Sequence, residues 1–286
     1  MKNKNIYEVL VIGGGISACV FASTFIKANA NRKIAIIEAG RGLGGRSSTR
    51  KSKKFYGWEL NHGSPNFNIC NESNNESLKN FIYDLLKNKF IKEDDSDLMQ
   101  LSFESEINSI KNSEFVLGNN YIPLNTMGEL SNNIINLNLH RKKVDFYFQT
   151  LIVKLNFSQN LWNLVAQNGD EFKCRYLVCS SNLLLNKRSK EILNVKQVPL
   201  RNAISKNKDK KIDSLLDFLE KQSYIQRLTF LIYTKNNYDF KDFYFKKHRY
   251  FYLRKDLENK YKFERIVFQF QKDNKLGIVI HTKNPE

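Results

Sequence analysis

The chain has 286 residues, is 41% hydrophobic and 13% aromatic, and carries a formal net charge of +17. The hydrophobic content excludes an intrinsically disordered chain, and the length fits one large domain or two intermingled domains. The charge is typical of partners such as nucleic acids, but the lysines are spread along the chain without a basic-aromatic ladder, so we favour a solvated basic surface.

The first predicted elements are a strand in YEVLVI, a helix in ISACVFASTFIKA and a second strand in RKIAIIE. A membrane helix is the alternative, because Val9 to Ile26 forms a run of 18 residues without a charge. Three consecutive glycines, Gly13 to Gly15, weaken such a helix and divide the run into two shorter elements. The pattern therefore favours a βαβ unit without a membrane span.

The glycines form the motif Gly13-x-Gly15-x-x-Ala18 between the first strand and the helix. The first glycine permits a tight turn, the second lets the backbone approach a pyrophosphate, and the alanine is small enough for close helix–strand packing. The N–H groups that open the helix, those of Ile16 and Ser17, would face the phosphates together with the positive end of the helix dipole. The motif predicts a dinucleotide site.

An acid and a second glycine pair follow in the segment EAGRGLGGR. Glu38 lies 20 residues beyond Ala18, the spacing of an acid that binds ribose hydroxyls. A nicotinamide dinucleotide does not require the pair Gly44-Gly45, whereas a longer dinucleotide with an extra diphosphate contact does. Arg46 has the forked donors that suit a phosphate oxygen. The alternative is a nucleotide-free βαβ core whose glycines serve packing alone.

These motifs resemble those of the FAD-binding amine oxidase superfamily, in which GxGxxG is followed by E-A-x(4)-GGR. The resemblance implies that FAD is the cofactor, that the acid binds the adenosine ribose and that the arginine lies against the diphosphate. The cofactor-binding positions that it implies are Gly13, Gly15, Ile16, Ser17, Ala18, Glu38, Ala39, Arg41, Gly44, Gly45, Arg46, Gly63, Ser64 and Ile152.

Within that superfamily the chain is most similar to renalase and its small bacterial relatives, over about the first 180 residues. Those proteins carry a D-x-G-A-x-x-F block that passes the flavin ring, and NHGSPNF occupies its place here. Asn61 replaces the acid, Ser64 replaces the alanine, and Gly63 and Phe67 match. Ile152 takes the place of a Val-type residue that contacts the adenine.

The resemblance implies hydride transfer from a small substrate, an amine or a dihydronicotinamide, to the flavin, with reoxidation by oxygen. The candidates for catalysis lie in the same block: Ser64 and Asn66 as hydrogen-bonding groups, and His62 as an acid or base near neutral pH. A solvent-facing loop position without a catalytic role is the alternative for His62.

The remaining chain predicts a helix from the capping box Ser73–Glu76, a hairpin that turns at Asn168-Gly169, and mainly strands after residue 222. The aromatic cluster FKDFYFKKHRYFY is either sheet core or the wall of a pocket for a planar substrate. A hairpin is also predicted in SEFVLGNNYIPL.

We therefore predict an α/β fold in which a Rossmann-like FAD-binding domain (1–70 and 116–185) interleaves with an antiparallel β-sheet substrate domain (71–115 and 186–286). The family closes its flavin site with a C-terminal Gly-Asp segment. That segment is expected to be missing here, because the only glycine after Gly169 is Gly277. This departure keeps open a non-catalytic or vestigial dinucleotide-binding protein. A nucleic-acid-binding protein that uses the same fold as a scaffold is a further alternative.

The cysteines and histidines give no metal-binding pattern. Four cysteines form no CxxC pair, and the four histidines are scattered without HExxH spacing. Unpaired thiols suit a reducing compartment, so the sequence predicts a cytoplasmic protein without a metal site.

Overall fold

The structure is a computed structural model that describes residues 6–52, 54, 57–69, 75–102, 107–110, 118–137, 143–204, 206–207, 209–234, 248–271 and 275–282. Ser73, residues 113–117 of the predicted hairpin and residues 240–247 of the aromatic cluster lie outside these ranges. The elements in chain order are β1 (Ile6–Ile12), α1 (Ile16–Ala28), β2 (Ile34–Ile37), β3 (Thr49–Lys51), β4 (Glu59–Asn61), β5 (Phe67–Ile69), α2 (Glu76–Lys87), β6 (Ile91–Glu93), β7 (Asp97–Leu101), β8 (Ile107–Ser109), β9 (Asn119–Pro123), α3 (Met127–Asn136), β10 (Val144–Tyr147), β11 (Ile152–Ser158), β12 (Leu161–Ala166), β13 (Glu171–Cys179), α4 (Ser189–Ile192), α5 (Pro199–Ala203), α6 (Lys210–Lys221), β14 (Thr229–Tyr233), β15 (His248–Leu253), α7 (Lys255–Tyr261), β16 (Phe263–Phe270) and β17 (Leu276–Thr282).

The chain divides into two compact units. The first unit comprises Met1–Gly45 and Ser131–Tyr224, and the second comprises Arg46–Leu130 and Ile225–Glu286. These bounds differ from the predicted ones, because residues 46–70 and 116–130 fall in the second unit and residues 186–224 in the first. Within the first unit, Leu200 and Ala203 of α5 pack against the core, which explains the placement of the latter segment.

The first unit is built on a sheet with the strand order β10-β2-β1-β13-β12-β11. The pairs β10–β2, β2–β1 and β1–β13 are parallel, and β13–β12 and β12–β11 are antiparallel. The predicted turn at Asn168-Gly169 is confirmed, with Gly169 at a φ of +86°. The strand of residues 171–179 returns to the sheet beside β1, so the βαβ unit lies at its centre.

The core of this unit is formed by apolar residues of β1, β2, β11, β12 and β13 and of the segment after β13. The parallel strands β1 and β2 are almost uniformly hydrophobic, because both faces of the sheet are buried there. The buried members of the core are Tyr7, Leu10, Ile12, Ala35, Ile37, Ile152, Leu155, Leu164, Ala166, Phe172, Cys174 and Leu184. Helix α1 buries mostly small side chains: Ala18, Cys19, Ala22 and Ser23, together with Ile26. Small residues there let the helix approach the strands closely.

The second unit contains a sheet with the order β14-β17-β16-β15-β7-β8, a pair β3–β4 and a sheet β5-β9-β6. The large sheet is antiparallel except at β15–β7, which pair in parallel. Asn119–Pro123, the described part of the predicted hairpin, pairs with both β5 and β6. Leu60, Tyr250, Val267 and Val279 form a buried cluster in this unit.

Two local predictions are corrected. Helix α2 is capped by Asn75, whose side chain accepts a hydrogen bond from the Leu78 N–H at 3.0 Å, so the described cap lies one residue before Glu76. The strand predicted in SYIQRLTFLIY is confined to Thr229–Tyr233, which pairs with β17. In the part of the chain that the structure describes, no helix has the length and apolar character needed to cross a membrane.

Candidate dinucleotide and substrate sites

The turn between β1 and α1 requires glycine at its first position. Gly13 has a φ of +99°, and a Cβ there would lie 2.9 Å from Ser180 Oγ and 3.0 Å from Ser181 Cβ. Its N–H donates to the Ile37 carbonyl at 2.8 Å, which ties the turn to β2. A Cβ at Gly15 would meet nothing within 4 Å, so the second glycine faces open space, as the approach of a phosphate requires.

Helix α1 begins directly at this open space. Gly15 is its extended N-cap residue, Ile16 is its first residue, and no acid lies in the first turn. The positive end of the helix dipole is therefore not neutralised by an acidic side chain in that turn. Ala18 has an exposed fraction of 0%, in agreement with the packing role predicted for a small residue. Ser17 is exposed at the helix start.

Glu38 is held by the backbone beside the glycine turn. Its Oε2 accepts from the Gly14 N–H at 2.5 Å, and its Oε1 accepts from the Gly40 N–H at 2.6 Å. A carboxylate has about four lone-pair sites, so two bonds leave capacity for about two further donors. A half-buried, fixed carboxylate with spare acceptors is suited to the vicinal hydroxyls of a ribose.

The chain around Glu38 is fixed by the segment that connects β10 and β11. The Glu38 N–H donates to the Tyr147 carbonyl at 2.8 Å, and the Thr150 N–H donates to the Glu38 carbonyl at 3.0 Å. The Gln149 N–H donates to the Gly40 carbonyl at 2.8 Å. These bonds determine where the acid lies relative to the start of β11.

Three other predicted cofactor positions remain: two follow Glu38 in the chain, and the third begins β11. Ala39 and Arg41 are exposed. Ile152, the first residue of β11, is only 2% exposed and belongs to the apolar core. The contact of Ile152 with an adenine stays a prediction, and its burial restricts its side chain to a packing contact.

The second glycine pair lies directly on the first. The Gly44 N–H donates to the Gly14 carbonyl at 2.8 Å, and Gly15 and Gly44 form a parallel β-bridge. A Cβ at Gly45 would lie 3.3 Å from Gly15 Cα. The two motifs, separated by almost thirty residues in the chain, therefore form one glycine-lined surface at the start of α1.

The predicted flavin-facing block lies in the second unit and is fixed by backbone contact. The Ser64 N–H donates to the Arg46 carbonyl at 3.1 Å, and a Cβ at Gly63 would lie 1.9 Å from that same oxygen. Asn61 anchors the block, because its N–H and C=O both bond the Gln269 amide at 2.8 Å. The Arg46 side chain is exposed.

A cavity of about 210 Å³ opens beside this block within the second unit. Its lining residues come from β5, β7, β9, β15, β16 and the connections before β5 and β7: Ser64, Pro65, Asn66, Phe67, Asn68, Ser96, Leu98, Asn120, Tyr250, Tyr252 and Arg265. The structure thus brings Ser64 and Asn66 together at the cavity. His62 is not among the lining residues.

His62 belongs instead to a chain of hydrogen bonds behind the block. Its carbonyl accepts from His281 Nε2 at 2.9 Å, and His281 Nδ1 lies 3.3 Å from Arg265 Nε. Burial and the nearby Arg265 guanidinium lower the pKa of His281 to about 4, so its ring is neutral, with the proton on Nε2 and a lone pair toward the arginine. Burial and Arg50 also lower the pKa of His62.

Replacing His281 by glutamine is expected to flatten the pH dependence of unfolding between pH 6.5 and pH 4. In that window the unfolded chain protonates this histidine and the folded chain does not, so stability falls as the pH falls. Glutamine can donate to the His62 carbonyl and accept from Arg265 without titrating. Urea unfolding at pH 7 and pH 4.5 gives the free energy of unfolding of the unaltered protein and of His281→Gln. If both lost the same free energy between the two pH values, His281 would not be the group that titrates.

Sequence reasoning missed several residues of this site. Tyr250 donates to Asp94 Oδ2 at 2.7 Å, and Ser96 Oγ donates to Asp94 Oδ1 at 2.6 Å. Burial, then the Asp94 carboxylate, raises the pKa of Tyr250, which keeps its hydroxyl protonated. The signal for Arg265 was present in FERIVFQF, where it alternates with Ile266 and shares the face of the fully buried Val267.

Metal and thiol chemistry have no structural support in the described residues. There is no cluster of three or more His, Cys, Asp or Glu side chains that could hold a metal ion in these ranges. Cys19, Cys174 and Cys179 are free thiols, and burial raises the pKa of each. They are therefore core residues rather than nucleophiles.

Comparison with known proteins supports the fold. A family model for an NAD(P)-binding Rossmann-like domain matches residues 11–85. No functionally curated protein matches the chain. Wild-type putrescine oxidase bound to putrescine is similar in structure, with a TM-score of 0.61 and 10% identity over 98% of this chain and 76% of that one.

Two further solved structures are similar. One is a putative protoporphyrinogen oxidase from Exiguobacterium sp. 255-15, with a TM-score of 0.60 and 9% identity over 98% of this chain and 78% of that one. The other is a flavoprotein/dehydrogenase from Cytophaga hutchinsonii, with a TM-score of 0.53 and 13% identity over 98% and 56%. The predicted α/β fold with a Rossmann-like dinucleotide-binding domain is confirmed.

Proposed function

We propose that this protein is an FAD-dependent oxidoreductase whose first unit binds the ADP half of FAD. The observation that carries the proposal is the contact between the two glycine pairs, Gly44-Gly45 on Gly14-Gly15, beside the fixed Glu38 carboxylate. A protein that binds a nicotinamide dinucleotide through a single glycine turn does not need the second glycine pair. The structural likeness to putrescine oxidase and to a flavoprotein/dehydrogenase supports the proposal.

The residues present fit this cofactor. Glu38 has the spare acceptors for two ribose hydroxyls, and the open side of Gly15 leads to the N–H groups of Ile16 and Ser17, which suit a diphosphate. The chain continues from Gly45 into Arg46, whose exposed guanidinium we assign to the same diphosphate. Together, these groups suit a ligand that carries a diphosphate and a ribose.

When bound, FAD would supply the redox chemistry by taking a hydride from a substrate C–H and passing the electrons to oxygen. The residues of the chain position the substrate and exclude water. Ser64 and Asn66 offer polar atoms at the cavity of the second unit. Gly63 allows the backbone before them to pack on the Arg46 carbonyl, to which the Ser64 N–H donates. The His62 side chain is half-buried, and burial and Arg50 lower its pKa. We assign the backbone carbonyl of His62 a positioning role, because it accepts from His281.

The finer assignment is a renalase-like oxidase that acts on an amine or a dihydronicotinamide. Its support is the sequence block NHGSPNF together with the placement of Ser64 and Asn66 at the cavity. The second candidate is a non-catalytic dinucleotide-binding protein. It is favoured by the family model, which describes an NAD(P)-binding domain and matches only residues 11–85.

The absorbance spectrum of the purified protein tests the two candidates. Flavin bands in the visible range, or their appearance after incubation with FAD and gel filtration, are expected, and a candidate reductant should bleach them. Titration with NADH under the same conditions serves as the comparison. A protein that takes up NADH but no FAD would contradict the flavin proposal and favour the binding module.

A further inference from the structure

We propose that the cavity of the second unit binds an oxyanion, such as a carboxylate, on a small planar substrate, and that Arg265 recognises it. The proposal deepens the proposed function by naming the substrate class, and it rests on that function for the reaction. It disfavours the amine of the two substrate classes above, because an amine enters such a site as a cation.

Arg265 is the one charged residue among the described residues that line the cavity; the others are Ser, Asn, Pro, Phe, Leu and Tyr. None of the ion pairs between described residues involves it. The adjacent acid in the chain, Glu264, is bound to Arg227 at 2.7 Å. A half-buried guanidinium without a carboxylate favours an anionic ligand.

The hydrogen bonds of Arg265 orient it without using up its donors. Its Nε and Nη2 lie 3.3 and 3.2 Å from His281 Nδ1, which has a single lone pair to share between them. Its contacts to the Tyr252 hydroxyl and the Gly63 carbonyl are long, at 3.4 and 3.5 Å. At least one Nη1 N–H therefore has no acceptor among the described contacts.

The other ionisable groups around Arg265 do not cancel its charge. His281 is neutral, as its hydrogen-bond pattern shows. The Asp94 carboxylate accepts from the Tyr250 hydroxyl and from Ser96, and it is not among the residues that line the cavity. A cationic amine would thus enter against the Arg265 guanidinium.

The remaining walls select the body of the ligand. Phe67, Leu98, Tyr250 and Tyr252 supply aromatic and apolar surface, and the volume of about 210 Å³ matches a single ring with a short substituent. Asn66 and Asn68 add amide groups for the polar edge of such a ring. A planar ring that carries a carboxylate meets all of these features.

Calorimetric titration of the purified protein, with its FAD content recorded, tests the proposal with benzoate, benzamide and benzylamine. These probes share a ring and differ in charge. Benzoate is expected to bind at least about tenfold more tightly than benzylamine, with benzamide between them. Arg265→Gln should weaken the binding of benzoate at least about tenfold and leave the binding of benzamide unchanged. Arg265→Lys should lose less of the affinity for benzoate, because it keeps the positive charge.

Arg249→Gln is the matched control, because it removes the same charge from the neighbouring strand at a residue that does not line the cavity. It should change benzoate affinity by no more than about twofold.

Circular dichroism checks the fold of each variant, and the three probes on the unaltered protein test the proposal even if Arg265→Gln does not fold. Benzylamine binding as tight as benzoate, or no benzoate binding, would overturn it. Arg265-dependent benzoate binding by a protein that takes up no added FAD would retain the anion site and refute the flavin function instead.

Discussion

Replacing Gly63 by alanine is expected to lower the free energy of unfolding by at least about 3 kcal/mol. The added Cβ would lie 1.9 Å from the Arg46 carbonyl oxygen and 2.9 Å from its carbon. Both are backbone atoms, so no side-chain rotation relieves the clash. Because the Ser64 N–H bonds the same oxygen, the block that leads into the cavity must move as a whole. Urea unfolding followed by circular dichroism measures the change.

Two other glycines serve as controls. A Cβ at Gly42 would meet nothing within 4 Å, so Gly42→Ala should change the free energy by no more than about 0.5 kcal/mol. A Cβ at Gly277 would approach the Leu60 Cδ2 at 2.2 Å, which is the end of a buried side chain rather than a backbone atom, so Gly277→Ala should cost less than Gly63→Ala. If Gly63→Ala were as mild as Gly42→Ala, the close contact with Arg46 would be wrong.

The first fifty residues could be predicted because their signals are local. The helix Ile16–Ala28 and the strand Ile34–Ile37 follow from glycine punctuation and apolar runs, and the small residue at Ala18 follows from the packing that the motif requires. The sequence predicts that both glycine pairs serve the diphosphate, and the structure adds that Gly15 and Gly44 form a β-bridge. Patterns within short stretches of the chain were therefore sufficient to predict the glycine turn and the elements on either side of it.

The second unit was less predictable because its site depends on long-range pairing. His281 donates to the His62 carbonyl over 219 positions, and Gln269 bonds Asn61 over 208. No local pattern marks such partners, so the sequence offers His62 only as a candidate acid or base from its residue type, with a solvent-facing loop position as the alternative. The same pairing explains why residues 46–69 belong to the second unit rather than to the predicted cofactor domain.

Replacing Glu38 by glutamine is expected to weaken the binding of both ADP and FAD at least about tenfold. Both carboxylate oxygens act as acceptors, Oε2 for the Gly14 N–H and Oε1 for the Gly40 N–H. An amide nitrogen in either position would face another N–H donor, so the side chain must rotate away from the turn and lose its place beside the ribose. Calorimetry with ADP isolates this half of the cofactor from any contribution of the ring.

Glu8→Gln is the matched control for Glu38→Gln. Glu8 lies on β1 in the same unit and forms ion pairs with Arg32 and Arg175, so its substitution makes the same change of net charge away from the turn. Its effect on ADP affinity should stay within about twofold. An equal loss in both variants would mean that net charge, not the position of the acid, controls binding. A Glu38→Gln protein that binds ADP like the unaltered chain would remove Glu38 from the site, and the assignment of the glycine-lined surface to an adenosine diphosphate would fail with it.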